Sequence, residues 1–333
     1  MGVLFMTKVA VIGATGLVGS TILQLLETKN IEISELVLFA SKRSAGKKIP
    51  FKDYELTVRE LTEAATKEPF DYVLMSAGGQ TSLHYSPLFE ENGAVVIDNS
   101  SAWRMNPEID LIVPEVNHPS LDRKIIANPN CSTIQSVSPL KILQDAFGLT
   151  RVAYTTYQSV SGSGWAGIED LNRGERGEDP LNYPYPIYDN VLPHIDDFLE
   201  NGYTKEEEKM IDETRKILDL PELPVTATCV RVPVKSSHSI AMNVTFEESP
   251  TVKEVKQVFR NKPGITLKDD PDHLEYPMPI DAAGKDDIIV GRIRKDNSLE
   301  NTFHVWSVSD NILKGAALNA VQILNQLLKE ETK

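Results

Sequence analysis

The sequence predicts an α/β chain, with a Rossmann-type parallel sheet domain followed by an α+β domain of different pattern. Three observations predict it. A short apolar run at residues 9–12 is cut by Gly13-Ala-Thr-Gly16-Leu-Val-Gly19 and followed by apolar residues at helical spacing. Further short apolar runs then alternate with helical or polar stretches to about residue 127, as in a parallel sheet covered on both faces. Beyond it, strands with a polar face and longer loops replace that alternation.

Taken in order, Val18, Ile22, Leu25 and Leu26 place a helix to about Glu27 after the first strand. Residues 36–40, 71–76 and 94–98 read as strands, with 111–113 and 125–127 as shorter additions. The helical run 133–147 contains Pro139, which predicts a kink or a first-turn boundary. Residues 152–160 form a strand that runs into SGSGWAG at 161–167, and 172–190 is a loop rich in charge, Pro and Tyr. Thr204 can cap a helix over 204–218 with Glu207 completing a capping box, while Met210, Ile211, Thr214, Ile217 and Leu218 share its apolar face. Residues 225–234 and 241–246 read as strands, with Ser236-Ser-His-Ser239 as the turn between them. The tail helix starts at the cap Ser309-Asp310 and carries a long apolar face from Leu313 to Leu328. Domain one is expected at about 1–130 and domain two at about 131–310.

The 333 residues carry 34 Lys and Arg against 48 Asp and Glu, a net charge of −14. Hydrophobic residues at 41% and charged residues at 25% are soluble-globular proportions, which exclude disordered, fibrous and coiled-coil classes. The charge repels nucleic acid and anionic membranes. Two cysteines make no disulfide framework and the six histidines have no ligand spacing, so no metal is expected. No apolar run reaches the roughly 20 residues of a membrane helix, and residues 1–7 lack a signal-peptide pattern. The expected setting is the reducing cytoplasm.

The glycine motif lies after a strand and opens a helix. That placement suits a pyrophosphate approaching backbone N–H groups at a helix N-terminus, although an ordinary glycine turn has the same composition. The second strand ends in Ala40-Ser-Lys-Arg-Ser-Ala-Gly46, which lacks the acid that NAD sites use for the ribose hydroxyls. Ser41, Arg43 and Ser44 could instead surround a 2′-phosphate, which favours NADP over NAD.

Cys131, in Asn128-Pro-Asn-Cys-Ser-Thr-Ile-Gln135, precedes a helical run. A helix N-terminus stabilises thiolate, and a thiolate is the nucleophile that carbonyl chemistry needs. Cys229, within VTATCVRV, reads as a small buried hydrophobe. His238 sits in a serine-rich turn, a poor place for a core histidine, and is the proton acceptor of choice. Arg231 lies on a strand of small and branched residues, where it is an edge cation or, if inward, a bidentate carboxylate ligand. Glu206 and Lys209 border the apolar face of their helix, where a plain ion pair is the simplest reading. Arg104, in SSAWRM, is exposed by context and could face an anion.

In order and spacing, VIGATGLVG, FASKRSAGK, DNSSAWR, LIVPEVN, NPNCSTIQ, TYQSVSGSGWAG, VTATCVRVPV and GRIRKD followed by SDNILKGAALNAVQI are highly specific. The chain resembles the aspartate-semialdehyde dehydrogenase family over nearly its whole length, in the branch without long inserts. The resemblance implies a glyceraldehyde-3-phosphate dehydrogenase-like fold, with the helix at 311–330 packed back on the nucleotide domain and the second domain forming a homodimer or tetramer. It implies Cys131 as nucleophile, Gln158 as the residue that orients substrate and His238 as acid/base. Arg231 would grip the substrate carboxylate and Glu206 its ammonium, while Arg104, Asn130 and Lys209 would hold phosphate. NADP would lie on Gly13, Thr15, Gly16, Leu17, Val18, Gly19, Ser41, Arg43 and Ser44, with Ser161, Gly162 and Asn311. The implied reaction reduces L-aspartyl 4-phosphate to L-aspartate 4-semialdehyde through a cysteine thioacyl-enzyme, in lysine, threonine and methionine biosynthesis. Ile240, Lys235, Tyr188 and Asp189 depart from the family pattern. The alternatives are an N-acetyl-γ-glutamyl-phosphate reductase-like enzyme, which shares the start motif and the acyl-phosphate chemistry, and an NADP-binding paralogue with weak turnover.

Overall fold

A computed structural model describes residues 7–331. The chain divides into two compact units, one running to Pro129 and resuming at Ala316, the other Asn130–Gly315.

In the first unit, β1 (Lys8–Ile12) buries all four of its last residues, and α1 (Leu17–Thr28) buries Ile22, Leu23, Leu25 and Leu26. Then come β2 (Glu35–Ala40), the hairpin of β3 (Lys48–Phe51) and β4 (Tyr54–Thr57), β5 (Arg59–Glu60), α2 (Glu63–Thr66) and β6 (Tyr72–Met75). They are followed by α3 (Gly79–Glu91), β7 (Val95–Asp98), β8 (Asp110–Leu111) and β9 (Ile125–Ala127). The seven-stranded sheet has the order β5-β2-β1-β6-β7-β9-β8, with every pairing parallel. Strand order reverses at β1, and its carboxyl end is where an open parallel sheet receives a ligand.

The second unit contains α4 (Cys131–Phe147), β10 (Leu149–Gln158), α5 (Gly164–Glu175), α6 (Lys205–Leu218), β11 (Val225–Arg231) and β12 (His238–Phe246). It continues with α7 (Val252–Val258), β13 (Ile265–Leu267), α8 (Pro279–Ala282), β14 (Ile288–Lys295) and β15 (Thr302–Ser309). The sheet order is β11-β10-β12-β15-β14-β13. Because β10 and β11 are parallel, Gln158 and Arg231 end side by side. Because β12 is antiparallel to β10, it starts at that same edge, with His238. The last helix, α9 (Leu318–Glu331), packs on α1 and β7 of the first unit.

Four local expectations change. Pro139 is not a first-turn boundary, since it lies inside α4, which continues to Phe147. Part of the expected 172–190 loop is the end of α5. His238 is the first residue of a strand, not a turn residue, because β15 pairs with it through Ser309. The tail opens with a π-helical turn, Leu313–Ala317, in which the Gly315 N–H donates to the Asp310 carbonyl five residues back (3.1 Å). Asp310 does cap it, accepting the N–H groups of Ile312 and Leu313. Among the described residues no helix is long and apolar enough to cross a membrane.

Candidate active site

Asn130 is the N-cap of α4, and its Oδ1 accepts the N–H groups of Ser132 (2.9 Å) and Thr133 (3.3 Å). This puts Cys131 at the first helical position, where free N–H groups and the helix dipole favour a thiolate. Its Sγ lies 3.3 Å from Nε2 of His238. On the other side of that ring, Nδ1 accepts the Ser159 backbone N–H (3.0 Å). A backbone N–H can only donate, so the proton of the neutral ring sits on Nε2, toward the sulfur. His238 is fully buried. Burial, and secondarily the Arg231 guanidinium, hold its pKa well below the usual imidazole value, against a smaller opposing effect of the Ser237 backbone.

Arg231 is on the edge strand, yet only 4% exposed. One Nη donates to the Ser159 carbonyl (2.8 Å), while Nε is buried without a partner. A Cβ at Gly162 would come within 2.7 Å of that Nη1 and 3.3 Å of His238, so glycine keeps this space open. Glu206 is buried, with Oε1 accepting from Asn130 Nδ2 (2.9 Å) and Gln158 Nε2 (3.1 Å). Lys209 Nζ reaches the other oxygen of Glu206 (3.3 Å) and also Asp196 (2.6 Å). Asn311 Oδ1 accepts from the Ser159 and Ser161 hydroxyls and the Ser237 N–H, 3.0 Å each, and its buried Nδ2 has no partner. Cys229 is buried, its thiol pushed up by burial first and Glu206 second, which makes it inert at neutral pH.

Thus Cys131, Gln158, His238, Arg231, Glu206, Asn130, Lys209, Ser161, Gly162 and Asn311 lie together in the second unit. Two residues that the sequence did not single out join them. Ser159 holds the His238 ring through its amide, and Glu213 accepts the Asn130 N–H (2.7 Å). Glu213 had a signal: it is two helical turns from Glu206, an acid on the otherwise apolar face of α6. The π-helical turn also seats Gly315 on the nucleophile, since a Cβ there would lie 2.9 Å from the Cβ of Cys131.

The nucleotide-binding features lie in the first unit. Gly13 has φ +81°, and a Cβ there would meet the Ser76 carbonyl at 2.2 Å; one on Gly19 would meet the Gly13 carbonyl at 2.1 Å. Neither position admits a side chain. Gly16 caps α1 with no side-chain bond, which leaves the first-turn amides at Leu17 and Val18 for a ligand. Thr15 Oγ1 donates to Ser44 Oγ (3.4 Å), which joins the glycine loop to the turn holding Ser41 and Arg43, both exposed. These residues fit a dinucleotide. Arg104 corrects an expectation: it is buried, donating Nε to the Asn128 carbonyl and one Nη to the Asn99 carbonyl, 3.0 Å each, because carbonyls following β7 and β9 need donors there. Among the described residues no group of three His, Cys, Asp or Glu could hold a metal ion.

Residues 8–124 match the family model described as semialdehyde dehydrogenase, NAD binding domain, and residues 140–314 match semialdehyde dehydrogenase, dimerisation domain. An aspartate-semialdehyde dehydrogenase of Aquifex aeolicus is 49% identical over 97% of this chain and 98% of its own. One from Bacillus subtilis is 47% identical over 96% and 97%. Among solved structures, aspartate semialdehyde dehydrogenase II of Vibrio cholerae, complexed with ASA, superposes with a TM-score of 0.93 at 41% identity, covering 98% of this chain and 99% of that one. The enzyme of Candida albicans with NADP superposes at 0.75 with 27% identity, over 96% and 98%.

Proposed function

The chain belongs to the aspartate-semialdehyde dehydrogenase family, and from that premise we propose how its residues perform the reaction of amino-acid biosynthesis that makes L-aspartate 4-semialdehyde from L-aspartyl 4-phosphate. The observation that carries the proposal is the 3.3 Å approach of Cys131 Sγ to His238 Nε2 at a helix N-terminus. The Cys131 thiolate attacks the acyl carbon, the C–S bond forms, and the C–O bond to phosphate breaks with its electron pair leaving on phosphate. Arg231, buried and with Nε unspent, grips the α-carboxylate. Glu206 receives the ammonium, fixed in place by Asn130 and Gln158. Gln158 orients the acyl group, while Lys209 and Asn130 hold the phosphoryl group.

The nicotinamide cofactor supplies hydride when bound. His238, which keeps its proton on Nε2, would donate a hydrogen bond to the oxygen or sulfur on which negative charge develops between reduction of the thioester and expulsion of the thiolate. Splitting the displacement through a thioester replaces one hard step with two easier ones.

The chain is an NAD(P)-binding oxidoreductase. The preference for NADP is supported by Ser41, Arg43 and Ser44 with no acid between Ala40 and Gly46, and by the Candida albicans relative with NADP. Ser161, Gly162 and Asn311, whose buried Nδ2 is unpartnered, would meet the nicotinamide end. A second copy of the chain would dock on the six-stranded sheet, where Tyr157 and Trp306 lie 5.5 Å apart beside an open cavity of about 540 Å³ that Arg292 and Arg294 help line. The family description of residues 140–314 supports a dimer; assembly to a tetramer goes one step further. A reduced thiol nucleophile suits the cytoplasm.

The test follows reduction of NADP by the purified protein with L-aspartate 4-semialdehyde and phosphate, in parallel with NAD and with N-acetyl-glutamate semialdehyde. Phosphate-dependent reduction of NADP with the aspartyl substrate alone is expected. Folded, NADP-binding protein that is silent in every mixture would overturn the proposal.

A further inference from the structure

The two reacting groups sit on separate elements, Cys131 on α4 and His238 on β12, and a 3.3 Å contact with sulfur is a weak tie between them. One side chain crosses directly. Gln135 lies one helical turn after Cys131, on the same face of α4. Its Nε2 donates to the backbone carbonyl of His238 (3.1 Å) and to Ser307 Oγ (3.0 Å). We propose that Gln135 is a positioning residue that ties the nucleophile's helix to the strand bearing His238 and so sets the Sγ–Nε2 distance. This rests on the reading of Cys131 and His238 as the reacting pair.

Gln135 is fully buried, as are its helix neighbours Ile134, Val137 and Leu140. A methionine or leucine would fill the same volume without the cost of desolvating an amide. The amide is oriented so that its donor end is spent on the carbonyl and hydroxyl, while Oε1 is left buried without a partner. A side chain present only for volume would not be held in that orientation. Titratable or charged groups that act on the pair include Arg231, on β11, which lowers the His238 pKa, and Cys229, on the same strand, which interacts electrostatically with Cys131; Ser159, Ser161 and Asn311 contribute neutral hydrogen bonds.

The test uses the full-length protein. Gln135→Met keeps length and loses the donor. It is expected to fold cooperatively and lose roughly tenfold to a hundredfold in kcat, the effect of a small misplacement of reacting atoms. KM for L-aspartate 4-semialdehyde should stay within about twofold, since Arg231 and Glu206 are untouched, on the scale where uniform binding is preserved. The pH midpoint for alkylation of Cys131 by iodoacetamide should rise as the Nε2–H moves away from the sulfur. Ser307→Ala leaves the bond to His238 in place and should keep wild-type kcat. Gln135→Glu donates only while protonated, the form that burial favours, so its kcat relative to wild type should recover as pH is lowered. If Gln135→Met does not fold, a loss in Gln135→Glu that is the same at every pH overturns the proposal. So does a folded Gln135→Met with wild-type kcat and alkylation profile, or an equal loss in Ser307→Ala. Full turnover by Cys131→Ser would instead refute the reading of the reacting pair.

Discussion

At the scale of single residues, Cys131 has what a thiol needs in order to react: the first position of a 17-residue helix, a capped N-terminus, and an imidazole Nε2–H within 3.3 Å. Cys131→Ser is therefore expected to abolish turnover while NADP still binds, measured by steady-state assay beside a cofactor titration. Arg231→Ala should raise KM for the semialdehyde about 10- to 100-fold, since a hydrogen bond to a charged group contributes roughly 1.5–3 kcal/mol; a KM within twofold of wild type would remove Arg231 from carboxylate binding. The chemistry at Cys131 was legible because its motif is local, with Asn130 as cap and the helix directly after. The burial of Arg104 and His238 was not, because it depends on strands that arrive from elsewhere in the chain. Arg104 looked exposed beside polar neighbours, yet the carbonyls of Asn99 and Asn128 enclose it.

At the scale of elements, α6 shows the closest agreement between pattern and structure. Thr204 and Glu207 form the predicted capping box, and Met210, Ile211, Thr214, Ile217 and Leu218 are all buried. Thr204→Ala should lower stability by about 1 kcal/mol, read from urea unfolding, without changing KM for NADP. The turn after β2 makes a second prediction: Arg43→Glu should weaken NADP and spare NAD, measured as the ratio of their kcat/KM values. An unchanged ratio would show that Arg43 does not meet the 2′-phosphate. The π-helical turn before α9 had no signature in the apolar spacing, which reads as one unbroken helix. Its widening brings the bare Gly315 against Cys131, a long-range demand that no local pattern records.

At the scale of the molecule, the change from strict alternation to polar-faced strands marked two units, and the chain divides after Pro129. The order of the strands was not legible, because alternation says that neighbours are parallel without saying which side of β1 each takes. Acid stability belongs to this scale. The folded-state pKa of His238 is depressed, so below about pH 6.5 the unfolded chain binds a proton that the folded chain does not, and stability falls. Carboxylates such as Glu90, held down chiefly by its bond to Arg123, add a second loss only at lower pH, below the ordinary carboxylate value. The urea midpoint should therefore drop between neutral and mildly acidic pH, and His238→Asn should flatten that part of the curve; an unaltered slope in the variant would assign the loss to other groups.

The covalent step at Cys131 underlies all of these expectations, and intact-protein mass spectrometry after mixing with L-aspartyl 4-phosphate in the absence of cofactor tests it most directly. The mass should increase by one aspartyl group, located on the peptide that carries Cys131 and absent in Cys131→Ser. A protein that turns over substrate yet never gains that mass, or gains it on Cys229, would contradict the account.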